Sequence, residues 1–262
     1  MVSLAIQEEV RNRLRRAEEE HDVKVLLAVE SGSRAWGFAS PNSDYDARFI
    51  YVNKPEWYLS IGLEEQRDVI EYPVIDDMDI SGWDLRKALR LFWKSNPGFV
   101  EWVQPTNIYE KSGSFHERAK DLLPLVYSVE SGIHHYPSMA KTNYRSYFQA
   151  PQVPLQKYFY VLRPLLSVRW LEQFHKPAPI EFDKLRGSIE GEPEFQQAID
   201  DLLAIKLQSP KMGLSLQVMP IQQFIERELH RLETIKPLRR ERTEVEPLLS
   251  GLFRSLLKEA WG

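Results

Sequence analysis

Residues 23–52, VKVLLAVESGSRAWGFASPNSDYDARFIYV, decide the reading of this chain. The run DVKVLLAV (22–29) is short, β-branched and Leu-rich, which predicts a buried strand. Gly32 and Ser33 stand at its C-terminal end, and Arg34 to Phe38 suit a single helical turn. Pro41-Asn42-Ser43 is turn chemistry, and DYDARFIYV (44–52) predicts a second strand. Along a strand, residues two apart share a face. Asp44 and Asp46 therefore project together, with Tyr45 opposite. Neighbouring carboxylates repel unless a cation lies between them. Hard oxygen ligands at that spacing suit Mg²⁺ or Mn²⁺. Glycine lets the main chain approach a ligand closely, and N–H groups at a helix start favour an anion such as a triphosphate. Asp-x-Asp alone is common on solvated edges, and Gly-Ser alone is weaker still. Their joint order between two apolar strands is the informative signal.

Working outward, residues 3–21 show helical spacing through Leu4, Ile6, Val10 and Leu14. One or two further strands are expected in VIEYPVIDDMDIS (69–81), and an amphipathic helix in 84–95, stopped by Asn96-Pro97-Gly98. From about Ser114 onward the periodicity is almost wholly helical, in pieces near 115–127, 133–149, 154–175, 193–208, 220–235 and 244–259. The expected fold class is α+β: a small mixed sheet over residues 1–110, then an all-α helical domain over 111–262.

The 262 residues are 43% hydrophobic with 7 Trp, 11 Tyr and 12 Phe, enough for a packed core. A net charge of −4 gives no global nucleic-acid footprint. No cysteine is present, which removes disulfides, thiolate metal sites and cysteine nucleophiles. The N-terminal stretch carries charges throughout and lacks the apolar core of a signal peptide, and no run is long enough to span a bilayer. A cytoplasmic location is the expectation. The histidines, including His116 and the pair His134-His135, suggest surface or cap positions, and LRRER (238–242) suggests a solvated loop.

The stretch GSRAWG–x–x–SP–x–SDYDARFIYV resembles the nucleotidyltransferase superfamily that includes DNA polymerase β, poly(A) polymerases and CCA-adding enzymes. With GWDLRKAL and KSNPGFVEW, the chain is more narrowly similar to the RNA-ligase-associated (RlaP-type) branch. That resemblance implies a metal-dependent transfer of an NMP from an NTP, with ATP the first choice, to an acceptor hydroxyl. RNA is the leading acceptor; a partner protein or a small molecule is the alternative. A non-catalytic nucleotide-sensing module is the rival class. Gly32, Ser33 and Arg34 would contact the nucleotide, and Asp44 and Asp46 would hold metal. The superfamily also has a third carboxylate on a strand before a helix. Asp79 fits best and Asp77 is the runner-up, whereas Asp84 reads as a helix cap and Asp76 as a solvated turn residue. Glu30 is either at the cleft mouth or an exposed strand end. Arg48 either neutralises the acids, contacts phosphate or forms a structural ion pair. In the helical half the resemblance makes Lys157 and Tyr160 candidates for triphosphate and base, with Arg163 and Lys141 behind them. The competing reading is core aromatics with snorkelling cations.

Overall fold

The computed structural model describes residues 2–208, 213–235 and 243–262; LRRER lies outside them. In chain order the first elements are α1 (Leu4–His21), β1 (Lys24–Glu30), α2 (Gly32–Trp36), β2 (Tyr45–Val52), α3 (Pro55–Tyr58), β3 (Val69–Glu71) and β4 (Met78–Asp84). Then come α4 (Leu85–Trp93), α5 (Pro97–Val103), β5 (Ile108–Lys111), α6 (Phe115–Val126), α7 (Val129–Tyr147), β6 (Gln152–Pro154) and α8 (Gln156–Phe174). The chain closes with α9 (Phe182–Arg186), α10 (Pro193–Gln208), β7 (Leu214–Leu216), α11 (Met219–Leu232) and α12 (Val245–Trp261). Among the described residues no helix is long and apolar enough to cross a membrane.

Five strands form a mixed sheet in the order β3-β4-β2-β1-β5, with β2 and β4 parallel and the other pairs antiparallel. The α+β class follows from that sheet and its flanking helices. Strand alternation divides the apolar side chains between two faces. Ala47, Phe49 and Tyr51 of β2 join Met78 and Ile80 of β4 and pack with Val10, Leu14 and Ala17 of α1. Ile50 and Val52 point the other way, into a core with α4, α5, α6 and α12. Leu26 and Leu27 are neighbours yet both enter that second core, because β1 carries a bulge between Val25 and Leu27.

The chain forms two compact units, and neither is a single stretch. The first gathers Met1–Ala35, Asp44–Tyr127 and Glu241–Gly262; the second gathers Trp36–Ser43 and Ser128–Arg240. A single boundary near 110 therefore does not describe this packing, since α6 and α12 both belong with the sheet.

In the second unit α8 is buried on nearly every side, as an all-round apolar helix must be. The second unit also has a two-stranded ribbon of β6 and β7 that the helical periodicity did not suggest. Phe38 stacks on Phe159 and meets Phe182 edge-on, which gathers the 36–43 segment into this unit. Glu228 of α11 is fully buried and receives both Arg169 and Arg231. His116, expected at the surface, is buried in α6, and burial pushes its pKa below the ordinary histidine value.

Candidate active site

The site is built at one end of the first unit's sheet. β1 ends at Glu30, and the chain turns through Gly32 at φ +60. A side chain there is barred twice. The left-handed conformation is costly for L residues, and a Cβ would lie 1.9 Å from Oδ2 of Asp46. The Asp46 carboxylate thus rests directly against the Gly32 main chain. The Ser31 N–H donates to the Asp46 carbonyl at 2.8 Å and closes the same corner. Ser33 and Arg34 follow in α2 and are half-buried.

β2 carries Asp46 and Arg48 on one face, while the ring of Tyr45 packs with the opposite core. Asp44 lies just before β2 and is exposed. Its carbonyl accepts from Nε of Arg34 at 3.2 Å, and the Arg34 guanidinium sits 3.8 Å from the centre of the Tyr45 ring.

The parallel pairing of β2 with β4 sets Asp46 opposite Asp79 in register. Residues in register on adjacent strands share a face, so the structure brings these two acids together. Asp77 is not on that strand; it occupies the preceding turn at φ +58, and its carbonyl accepts the Tyr45 N–H at 2.8 Å. Asp76 is exposed and pairs with Arg13. Asp84 is fully buried and caps α4, accepting from the Arg86 N–H at 2.8 Å.

Arg48 spans the acids. Its Nη2 donates to Oδ2 of Asp79 at 2.7 Å and to Oδ1 of Asp46 at 3.1 Å. Glu30 is not an exposed strand end: it is 3% exposed. It accepts from the Asp46 N–H at 3.0 Å and from the hydroxyl of Tyr109 on β5. Burial pushes the Glu30 carboxyl above the ordinary range, against the pull of those two donors. Burial likewise raises Asp46; Arg48 opposes the shift, and Asp79 and Asp44 add to it.

Carboxylate oxygens are the donors a hard divalent cation takes, but the Arg48 guanidinium already lies between Asp46 and Asp79. Among the described residues, no three His, Cys, Asp or Glu side chains converge closely enough to hold one.

Lys141, Lys157, Tyr160 and Arg163 belong to the second unit. There the Lys157 ammonium lies 4.3 Å from the Tyr147 ring centre and 4.8 Å from that of Tyr160. Tyr160 is 42% exposed and Lys141 is half-buried. Arg163 is buried, lies 4.1 Å from the Trp36 ring centre and donates to the Ile180 carbonyl at 3.1 Å. Tyr109 has no counterpart in the sequence reading, because β5 is four residues long and shows no strand pattern of its own.

A sequence model of RlaP, the RNA repair pathway DNA polymerase beta family, matches residues 6–255. "Uncharacterized protein YcgL" of Bacillus subtilis (strain 168) is 42% identical over 251 residues, which is 95% of this chain and 96% of that protein. Among solved structures, a nucleotidyltransferase-like protein from Exiguobacterium sibiricum 255-15 shares 15% identity with a TM-score of 0.32, over 87% of this chain and 73% of that chain. That last likeness is too distant to bear on the site.

Proposed function

The chain belongs to the RlaP family, the RNA repair pathway DNA polymerase beta family, and from that premise we propose that it moves an NMP from an NTP to a hydroxyl of RNA. ATP is the first nucleotide to try. The observation that carries the proposal is the register of Asp46 with Asp79 beside a glycine whose missing side chain makes room for the Asp46 carboxylate. A solvated acidic edge has no need of that fit.

In the reaction the acceptor oxygen attacks the α-phosphorus. The α–β bridging bond breaks, its electron pair leaves on pyrophosphate, and the hydroxyl proton is released. Bound Mg²⁺ or Mn²⁺ would screen the phosphate charge and make the hydroxyl easier to deprotonate. Asp44 and Asp46, with Asp79 beside them, are the residues that would hold it. Gly32 and Ser33, at the start of α2, would offer the triphosphate main-chain N–H groups and one hydroxyl. Arg34 stands next to them as a positive charge. Glu30 fixes the Asp46 amide and so the direction of its side chain. The family likeness further supports Lys157 and Tyr160 as nucleotide contacts, with Lys141 behind them.

The test uses each NTP labelled at its α-phosphate, RNA as acceptor, and Mg²⁺ or Mn²⁺. Label is expected in RNA with the wild-type chain. The Asp44→Asn and Asp46→Asn proteins should transfer at least a hundredfold more slowly with unchanged circular dichroism. A folded, fully active Asp46→Asn protein would end the assignment. A second reading, a nucleotide-sensing module, draws on Arg48 lying between two of the acids. It predicts NTP binding with no label in any acceptor.

A further inference from the structure

α4 carries charge of one sign. Residues 85–94, LRKALRLFWK, include Arg86, Lys87, Arg90 and Lys94 and no acid, in a chain whose net charge is −4. The inner face of the helix is buried in the core it shares with α12. Beside that contact the two helices leave a groove of about 340 Å³. Leu89 and Leu249 are its buried lining. Arg86, Arg90 and Trp93 line it from α4, and Phe253 lines it from α12. The volume falls at the low end of the roughly 300–1,000 Å³ of small-ligand sites, which suits one planar ring system. Residues 86, 90 and 93 follow at helical spacings of four and three, so they form one stripe. Trp93 is 38% exposed. Arg90 is exposed and has no acidic partner among the described residues. Arg86 pairs with Glu64 at 3.0 Å, but that carboxylate is 71% exposed. A surface pair of this kind is worth only about 0–1 kcal/mol, so a phosphate can displace it. Glu246 is the acid of the groove; it accepts from the Ser250 hydroxyl and makes the α12 wall negative. A phosphate is thereby kept to the α4 wall.

We propose that the α4–α12 groove holds a single-stranded stretch of the acceptor RNA, with Arg86 and Arg90 on neighbouring phosphates and one unpaired base stacked on Trp93. This rests on the reading of RNA as acceptor and adds where its chain is gripped. The one-signed charge selects a polyanion. The exposed indole in the same stripe selects a nucleic acid over an acidic peptide, because a base stacked on an aromatic ring gains about 1–3 kcal/mol.

The experiment follows the fluorescence anisotropy of a short labelled oligoadenylate RNA on the full chain, over a series of salt concentrations, without nucleotide triphosphate or metal. Arg86→Gln with Arg90→Gln should weaken binding tenfold or more. It should also lower the slope of log affinity against log salt by about 1.4, two contacts at about 0.7 each. Trp93→Ala should weaken binding about fivefold or more with the slope unchanged. Circular dichroism reports folding; should the double variant not fold, Arg90→Gln alone decides, its slope falling by about 0.7. Wild-type affinity and slope in the folded arginine variant, or wild-type affinity in Trp93→Ala, overturns the proposal. So does a polyglutamate of equal length that binds wild type as tightly as the RNA, which would mark a surface for acidic peptides. Transfer is scored apart from binding. Label transferred to RNA by variants that also bind it like wild type removes the groove alone. Absence of transfer to any acceptor, with binding that depends on Arg86, Arg90 and Trp93 as stated, removes the transfer reading and leaves the groove.

Discussion

At the scale of single residues, Gly32 is the most constrained position of the site. Its φ of +60 costs an L residue about 1–2 kcal/mol. The added Cβ also meets an Asp46 oxygen at 1.9 Å, so the carboxylate must move. Gly32→Ala is expected to lose about 2 kcal/mol of stability. On the proposed function, transfer should fall far more than that loss explains, by a hundredfold or more, because the displaced carboxylate is one of those assigned to the reaction. Thermal unfolding beside steady-state transfer separates the two effects; an alanine protein with near-normal kcat would show that the contact between Gly32 and Asp46 is incidental. The sequence displays this residue because its signal is local: an apolar strand, then Gly-Ser, then two acids one residue apart. Asp79 is singled out by the family resemblance, which implies a carboxylate on a strand before a helix, and the structure places it on β4. The places of Glu30 and Arg48 are not legible that way. Glu30 is buried only because β5 delivers Tyr109 beside it, and Arg48 bridges only because β2 lies parallel to β4. Strand pairing decides both, and strand pairing is not written in the residues near either one.

At the scale of elements, α4 shows how much depends on one cap. Asp84 accepts from the Arg86 N–H, from Asn53 at 2.9 Å and from the Tyr58 hydroxyl at 2.6 Å, all in a buried place. Asp84→Ala removes the cap, worth about 1 kcal/mol. It also strands two donors, at about 1–3 kcal/mol each. A total loss of about 3 kcal/mol or more is expected in denaturant titration. Burial raises the Asp84 pKa above its unfolded value of 3.8, against the pull of its donors. The folded chain therefore takes up that proton before the unfolded chain does. The charge costs stability above the folded pKa, and the cost fades as pH falls toward the unfolded value. The stability gap between wild type and Asp84→Ala should accordingly widen on acidification. A gap that narrows would mean the hydrogen bonds outweigh burial. The cap was readable from sequence, but the next helix was not. Asn96-Pro97-Gly98 looks like a stop and does end α4. Asn96 also caps α5, accepting from the Phe99 N–H, with Pro97 as the first helical residue. Asparagine before proline serves a helix end and a helix start equally well, and only packing shows that both occur here.

At the scale of the molecule, the sheet cannot be completed by the residues that form it. The face carrying Leu27, Val29, Ile50 and Val52 is covered from later in the chain, by Phe115, Ala119, Leu123 and Val126 of α6 and by Leu249, Leu252 and Leu256 of α12. The change from mixed to helical periodicity near residue 110 is real as a pattern, but it marks where the strands of the five-stranded sheet stop rather than where the first core ends. Periodicity reports which face of a helix is apolar and is silent on which core that face enters. A fragment of residues 1–110 would expose that side of the sheet. Each large apolar side chain of α6 and α12 is worth about 1.5–3 kcal/mol when buried, and together they match the roughly 5–15 kcal/mol by which a domain is stable. The fragment should therefore lack a cooperative thermal transition and bind a hydrophobic dye. Residues 1–127 joined by a flexible linker to 241–262 should recover the transition, since that chain restores both covering helices. Cooperative unfolding of the 1–110 fragment on its own would show that the sheet needs neither helix, and that a single cut there does separate the two halves of the chain.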